Sequence, residues 1–281
     1  METHVFLAVL AAALCHASWN ALLKRKLEPL KAVTIISVGC GIVTLPAVFV
    51  VDVPVQESWI FIAASLAIHM FYYLALGEAY RLGDLGQIYP IARGTAPLIT
   101  AVGASFLLGE HLGFAGGLAI GLLTSGIVLL SWKGGRPSEA FNARAIAFAL
   151  LTAMAISAYT IVDATGGRIG TSALPYLVWL IFLDGVMMLL FGLWRWPRDI
   201  LRECAQAPSV LLLGGLFSTV SYGIAVWAMS VAPVAMVAAL RETSVLFAAI
   251  IGIVVLREPV MPIRIVAGIV VMAGIIMLRL R

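Results

Sequence analysis

The sequence predicts an all-α membrane protein with ten transmembrane helices in two inverted five-helix repeats, and three observations lead there. First, 62% of the 281 residues are hydrophobic, 11% are charged and the mean hydropathy is +1.07. That leaves too little polar surface to cover a water-soluble globule. Second, the apolar residues gather in runs close to the ~20 residues that a helix needs to cross a hydrocarbon core of about 30 Å. Barrel strands would instead alternate over about ten residues, so continuous runs mean helices. Third, the second half of the chain repeats the first at a spacing of 148 residues.

The runs lie near 5–23, 32–51, 58–80, 85–108, 112–132, 145–163, 173–194, 209–231, 234–256 and 262–279, separated by charges or turn residues. The first is a retained helix rather than a cleaved leader. The METH that opens it has no lysine or arginine, and Leu14 before Cys15 does not suit a small-residue cleavage site. The third ends at Glu78, Arg81 and Asp84, a cluster that caps or pairs at the membrane face or takes part in gating. The fourth reads QIYPIARGTAPLIT, with Pro90 and Pro97 flanking Arg93. An interior proline removes a ladder hydrogen bond and frees carbonyls, so this run is expected to be interrupted and to carry a hinge or binding site. The fifth contains GLAIG (117–121), a GxxxG pattern expected at a close helix contact or a dimer face. After it, KGGRPSEAFN (133–142) is the natural linker, which puts repeats at 1–135 and 141–281 with 136–140 between them. Trp132, Trp194 and Trp196 sit at run ends, where an interfacial belt accounts for them. The ninth run holds Arg241 and Glu242 side by side in otherwise apolar sequence, about 100° apart on a helix and so unable to face each other.

With ten helices, 13 of the 18 basic residues fall on loops of one face, Arg168, Arg279 and Arg281 fall on the other, and Arg93 and Arg241 lie inside helices. The positive-inside rule then places both termini outside. This asymmetry accounts for the net charge of +4 without a nucleic-acid partner. The 3 cysteines are scattered without CxxC spacing, so neither a disulfide framework nor a metal site is indicated, and no cofactor is implied.

Internal symmetry joins FLLGEHLGFAGGLAIGLLTSGIVLLSW (106–132) to VVLREPVMPIRIVAGIVVMAGIIMLRL (254–280). Glu110 falls on Glu258, Ala119 on Ala267, Gly126 on Gly274 and Arg93 on Arg241. Tyr73 falls on Tyr222 at a spacing of 149, and SWNALLK (18–24) sets beside SAYTIVD (157–163). An odd number of helices per half inverts the second half in the membrane. Arg93 lies about eight residues, or ~12 Å, into its helix from one face and Arg241 about seven from the other. Two arginines near mid-depth, related by the repeat, point to a shared central cavity.

Ten helices in two five-helix repeats, WN followed by a lysine (Trp19, Asn20, Lys24), and a glutamate after the fourth and ninth helices (LGEHL, LREPV) resemble the EamA-type transporters of the drug/metabolite transporter superfamily. Arg257 stands where the LGE pattern has glycine. The resemblance covers the whole chain. It implies a carrier of small organic solutes in a bacterial cytoplasmic membrane, monomeric or dimeric, in which one cavity is exposed to the two faces in turn. It also implies that helices 3, 4, 8 and 9 form most of the cavity wall, with 1 and 6 alongside.

The residues expected to meet the solute are Arg93, Arg241, Glu242, Tyr89, Trp19, Asn20, Tyr73, Tyr159, Tyr222 and Trp227. Pro90, Pro97, Glu78 and Arg81 are the candidates for hinge and gate. Charged groups at mid-depth are costly and recruit counter-charges, and the aromatic residues suit an amphipathic solute. An arginine at mid-depth favours a carboxylate-bearing solute, with amino acids first and export the direction. Purines or drug-like cations are the alternative. A membrane-embedded enzyme is disfavoured by the lack of HExxH, paired-aspartate or nucleophile motifs.

Overall fold

The computed structural model of the protein describes residues 1–22, 28–83, 85–111, 113–131, 142–254 and 262–280, and among these it is helical with no strand. Its helices are α1 Thr3–Leu22, α2 Pro29–Val48, α3 Ser58–Leu82, α4 Leu85–Leu108, α5 Gly113–Ser131 and α6 Ala143–Gly167. They continue with α7 Ala173–Arg195, α8 Ile200–Gln206, α9 Gly215–Val231, α10 Val234–Arg241, α11 Ser244–Val254 and α12 Pro262–Arg279. Lys24, Asp84, Trp132, the linker 136–140, Arg257 and Glu258 lie outside the described residues, as do the side chains of Tyr89 and Pro90.

Eight helical stretches among the described residues are long and apolar enough to cross a membrane, and two shorter apolar ones, Gly113–Leu129 and Ile265–Arg279, occupy the fifth and tenth runs. Local chemistry sets several ends. Asn142 caps α6 by accepting from the Arg144 and Ala145 amides at 3.1 and 3.4 Å, and its own amide reaches the Leu82 carbonyl at 2.9 Å, closing the end of α3. Gly109, at φ +65°, ends α4 in the left-handed region.

Three features depart from the sequence expectation. The fourth run is not broken at its prolines: α4 continues from Leu85 to Leu108. The break lies in the ninth run, where Glu242 and Thr243 separate α10 from α11. There the Glu242 and Thr243 amides bond three residues back, to Ala239 and Leu240 at 3.2 and 3.1 Å, and the Thr243 hydroxyl caps the Leu240 carbonyl at 2.7 Å. The loop after α7 also folds, into the short α8, and a π-helical turn at Ser209–Gly214 leads into α9.

Packing follows the repeat. α5 lies on α12 and α2 on α7, each helix against its counterpart in the other half, while α3 on α6 is matched by α1 on α9. At the first contact the symmetry reaches single atoms. A Cβ on Gly126 would stand 3.1 Å from the Ala267 carbonyl, and one on Gly274 would stand 3.1 Å from the Ala119 carbonyl. The Arg279 guanidinium donates to the Thr3 hydroxyl at 2.6 Å, so both ends of the chain meet at one end of the bundle.

The closest approach is elsewhere. A Cβ on Gly39 would fall 1.8 Å from the Leu211 carbonyl oxygen, and one on Gly215 would fall 2.4 Å from the Gly39 carbonyl carbon. By contrast, Gly117 and Gly121 have nothing within 4 Å, so the GxxxG pattern makes no close helix contact within the described chain. Gly215→Leu is therefore expected to prise α2 from α9 and lower the thermal midpoint in detergent, at a cost of about 1–3 kcal/mol or more. Gly121→Leu should leave that midpoint unchanged.

Candidate functional site: a central cavity

The helices enclose a cavity with an empty volume of about 820 Å³, counted to its open side, at the middle of the bundle. α1 contributes His16 and Trp19 from its final turns, α2 contributes Val33 to Cys40, and α3 contributes His69, Tyr72 and Tyr73. Arg93 of α4, Tyr159 of α6, Asp184 of α7, Ser218, Thr219, Ser221 and Tyr222 of α9, and Arg241 of α10 add to its polar lining. The half of the bundle that holds the chain ends is filled instead, by a core that includes Val5, Phe6, Ile62, Tyr176, Met229 and Val237.

Both mid-helix arginines reach this cavity and both are buried, at 7% and 8% exposure. Their surroundings differ. Arg93 Nε lies 3.1 Å from Glu242 Oε2, and its Nη2 lies 2.8 Å from His16 Nε2. Arg241 stands over the Tyr222 ring, 5.6 Å from its centroid, and among the described residues no carboxylate pairs with it. The break after α10 explains the arrangement: it turns Glu242 away from its neighbour and toward α4.

A second polar group spans five helices, α2, α3, α6, α7 and α9. Asp163 of α6 accepts the Tyr176 hydroxyl at 2.8 Å on one oxygen and the Tyr222 hydroxyl on the other. Asp184 of α7 accepts the Tyr73 hydroxyl at 3.0 Å, and Ser37 donates to that hydroxyl at 3.3 Å. His69 sits between the two carboxylates, with Nδ1 3.4 Å from Asp184 Oδ1 and Nε2 3.5 Å from the Tyr222 oxygen. The Tyr159 ring closes on the imidazole edge-on at 4.4 Å between centroids.

Of the residues named from sequence, Arg93, Arg241, Trp19, Tyr73, Tyr159 and Tyr222 line this cavity, and Glu242 lines a small recess beside it with Pro97. Asn20 does not line it; its amide donates to the His16 carbonyl at 2.8 Å. Trp227 stands apart, 36% exposed beside the ring of His4. Glu78 and Arg81 pair with each other at 2.6 Å on the surface of α3. His69 and Tyr176 were not singled out. His69, Asp163 and Tyr176 come from three separate helices, so no spacing in the chain joins them.

A clamp holds the filled half together. Arg168, just after α6, donates to Glu110 at 3.1 Å and to the carbonyls of Met229 and Ala232 at 3.0 and 3.3 Å. Glu110 in turn accepts the amide of Val234, at the start of α10, with its nearer oxygen at 2.8 Å. One ion pair therefore ties the ends of α4, α6, α9 and α10.

Among curated proteins no match is found. A solved structure described as "Crystal structure of protein" superposes with a TM-score of 0.75 over 100% of this chain and 98% of its own, at 16% identity, which shows a shared fold. The family described as "EamA-like transporter family" matches twice, over residues 4–132 and 143–280. The chain is thus a membrane protein made of two such repeats, and it belongs to the EamA-like transporter family.

Proposed function

We propose that this protein is a secondary carrier for small zwitterionic metabolites, amino acids first, and that it exports them across a bacterial cytoplasmic membrane by alternating access. In this reading the chain crosses the membrane ten times, the two repeats are inverted and both termini lie outside. The exchange symmetry of the helix contacts and the meeting of Arg279 with Thr3 support it. One observation carries the solute class: Arg241 is buried at the cavity without a carboxylate partner among the described residues, while Asp184 lines the same cavity. A bound α-carboxylate supplies the missing anion at Arg241, and the ammonium group has Asp184 to meet. Arg93, already engaged by Glu242, borders the cavity and positions the break after α10.

The carboxylates Asp163 and Asp184 favour a second reading, export of drug-like cations. A proteoliposome uptake screen over amino acids, purines and lipophilic cations separates the two. Saturable flux of at least one amino acid, with no dye-cation efflux, is the expected result. Dye efflux without amino-acid flux overturns the proposal.

The filled half of the bundle is then the closed outer gate, with Arg168 and Glu110 as its latch. In a chain whose native cysteines are replaced by serine, a cysteine at the buried position Val237 should resist an impermeant maleimide added from outside. Adding Arg168→Ala should make it reactive, because the carbonyls of Met229 and Ala232 and the carboxylate of Glu110 lose their shared donor. Equal labelling in both backgrounds removes the latch from the mechanism.

A further inference from the structure

Among the described residues, the cavity and its margins hold an uneven set of buried charges. Two cations, Arg93 and Arg241, stand with three carboxylates, Asp163, Asp184 and Glu242, all at most 8% exposed. Asp184 and both arginines line the cavity, Glu242 lines the recess beside it and Asp163 lies behind Tyr222. The Arg93–Glu242 pair cancels. With Arg241 counted against the two aspartates, neither of which it contacts, one negative charge is in excess among these groups whenever His69 is neutral. An unbalanced charge in a buried site is costly, and the site favours one additional monovalent cation.

Hydrogen bonding locates the place for it. Both oxygens of Asp163 already accept phenolic hydroxyls, from Tyr176 and Tyr222. Asp184 has a spare position: its Oδ1 makes no hydrogen bond, and neither does the facing Nδ1 of His69, 3.4 Å away. On the other side of the ring, Tyr222 donates its proton to Asp163, so its oxygen has a lone pair turned to Nε2 of His69 at 3.5 Å. A doubly protonated imidazolium therefore has an acceptor at each nitrogen, Asp184 directly and Asp163 through Tyr222.

We infer that His69 and Asp184 form a proton site which is emptied when an ammonium group binds Asp184, making this carrier an antiporter of one proton for one amino-bearing solute. The step balances: the ammonium pairs with the Asp184 carboxylate, the Nδ1–H bond of the imidazolium breaks, and the proton leaves to water in the cavity. At the Asp184–His69 pair one monovalent cation replaces another, while the solute carboxylate is met by Arg241. The groups facing His69 are consistent with this exchange. α3 adds Tyr72 and Tyr73, α6 adds Tyr159 and Asp163, α7 adds Asp184 and Tyr176, and α9 adds Tyr222. From α2 come Ser37 and Cys40, and from α10 comes Arg241 above Tyr222; Arg93 with His16 and Glu242 lies beyond them. Arg241 is the one cation among the described groups of this shell whose charge opposes the proton.

This inference deepens the carrier reading, and only the second part of its test depends on that reading. The chain has 4 histidines, so the ¹⁵N-histidine spectrum of the purified protein is simple, and His69→Gln identifies the signal. Methylammonium chloride, used as the probe, should lower the pH at which His69 releases its proton, and its apparent affinity should fall about tenfold for each pH unit below that midpoint. Sodium chloride should do neither. Asp184→Asn should abolish the methylammonium effect while the signal of His16 stays in place. In proteoliposomes holding pyranine, an external mixture of the twenty amino acids should make the lumen alkaline, and Asp184→Asn should abolish that change. If His69 does not respond to methylammonium, the proton site is overturned whatever the flux. If amino acids enter with no pH change, the antiport is overturned while the carrier reading stands. If His69 responds and no amino acid is carried, the proton site stands and the amino-acid reading falls.

Discussion

Arg241→Ala is expected to abolish solute flux while leaving the protein folded and at its normal level in the membrane. The arginine is 8% exposed and leans on the Tyr222 ring, but no carboxylate among the described residues depends on it. Truncation therefore breaks no direct ion pair of the protein. What it removes is the partner of the solute carboxylate. Each charged hydrogen bond is worth about 1.5–3 kcal/mol, and a guanidinium makes two to a carboxylate, so affinity should fall at least about 100-fold. Arg241→Lys should restore part of the flux, because the charge returns without the two-pronged geometry. The measurement is saturable uptake of the amino acid found by the screen, set against folded yield from size-exclusion chromatography. Normal uptake by Arg241→Ala would remove this residue from the binding site.

That prediction begins in a residue the sequence exposes plainly, since a charge in an apolar run needs an explanation. The same physics made the helices legible. A bilayer forces long apolar runs, and the eight membrane-length stretches and two shorter ones each overlap one of the ten runs. The repeat was legible too, because Gly126 and Gly274, aligned by spacing, are the residues that let α5 and α12 touch. The break after Arg241 was not. It uses neither proline nor glycine but three-residue hydrogen bonds at Glu242 and Thr243, which leave no compositional mark. Trp227 lies off the cavity for a geometric reason: five residues beyond Tyr222 on one helix is a rotation of about 140°, so the two point to different sides. His69, Asp163 and Asp184 come from three helices, and only the fold brings them together.

Arg93→Ala should behave differently from Arg241→Ala, although the repeat makes the two arginines equivalent. Glu242 is 4% exposed and its Oε2 lies 3.1 Å from Arg93 Nε. Deleting Arg93 leaves that carboxylate buried without its cation, and breaking such a pair costs about 3–5 kcal/mol. A folded domain has only about 5–15 kcal/mol in hand, so Arg93→Ala should accumulate at a small fraction of the normal level. Glu242→Leu alone should be impaired as well, because Arg93 loses its carboxylate at 3.1 Å. The double variant Arg93→Met with Glu242→Leu removes both charges together and replaces them with side chains that fill much of the same volume. Replacing a buried pair in this way is close to neutral in other proteins, so accumulation should return to near the normal level. Flux should return with it, because the solute carboxylate meets Arg241 and the Arg93 charge was already cancelled. Folded yield, thermal midpoint and uptake for the native chain, Arg93→Met, Glu242→Leu and the double variant form a double-mutant cycle. Normal accumulation of Arg93→Ala would show that the pair does not hold the helices together, and a well-folded double variant without flux would move Arg93 from the scaffold into the binding site.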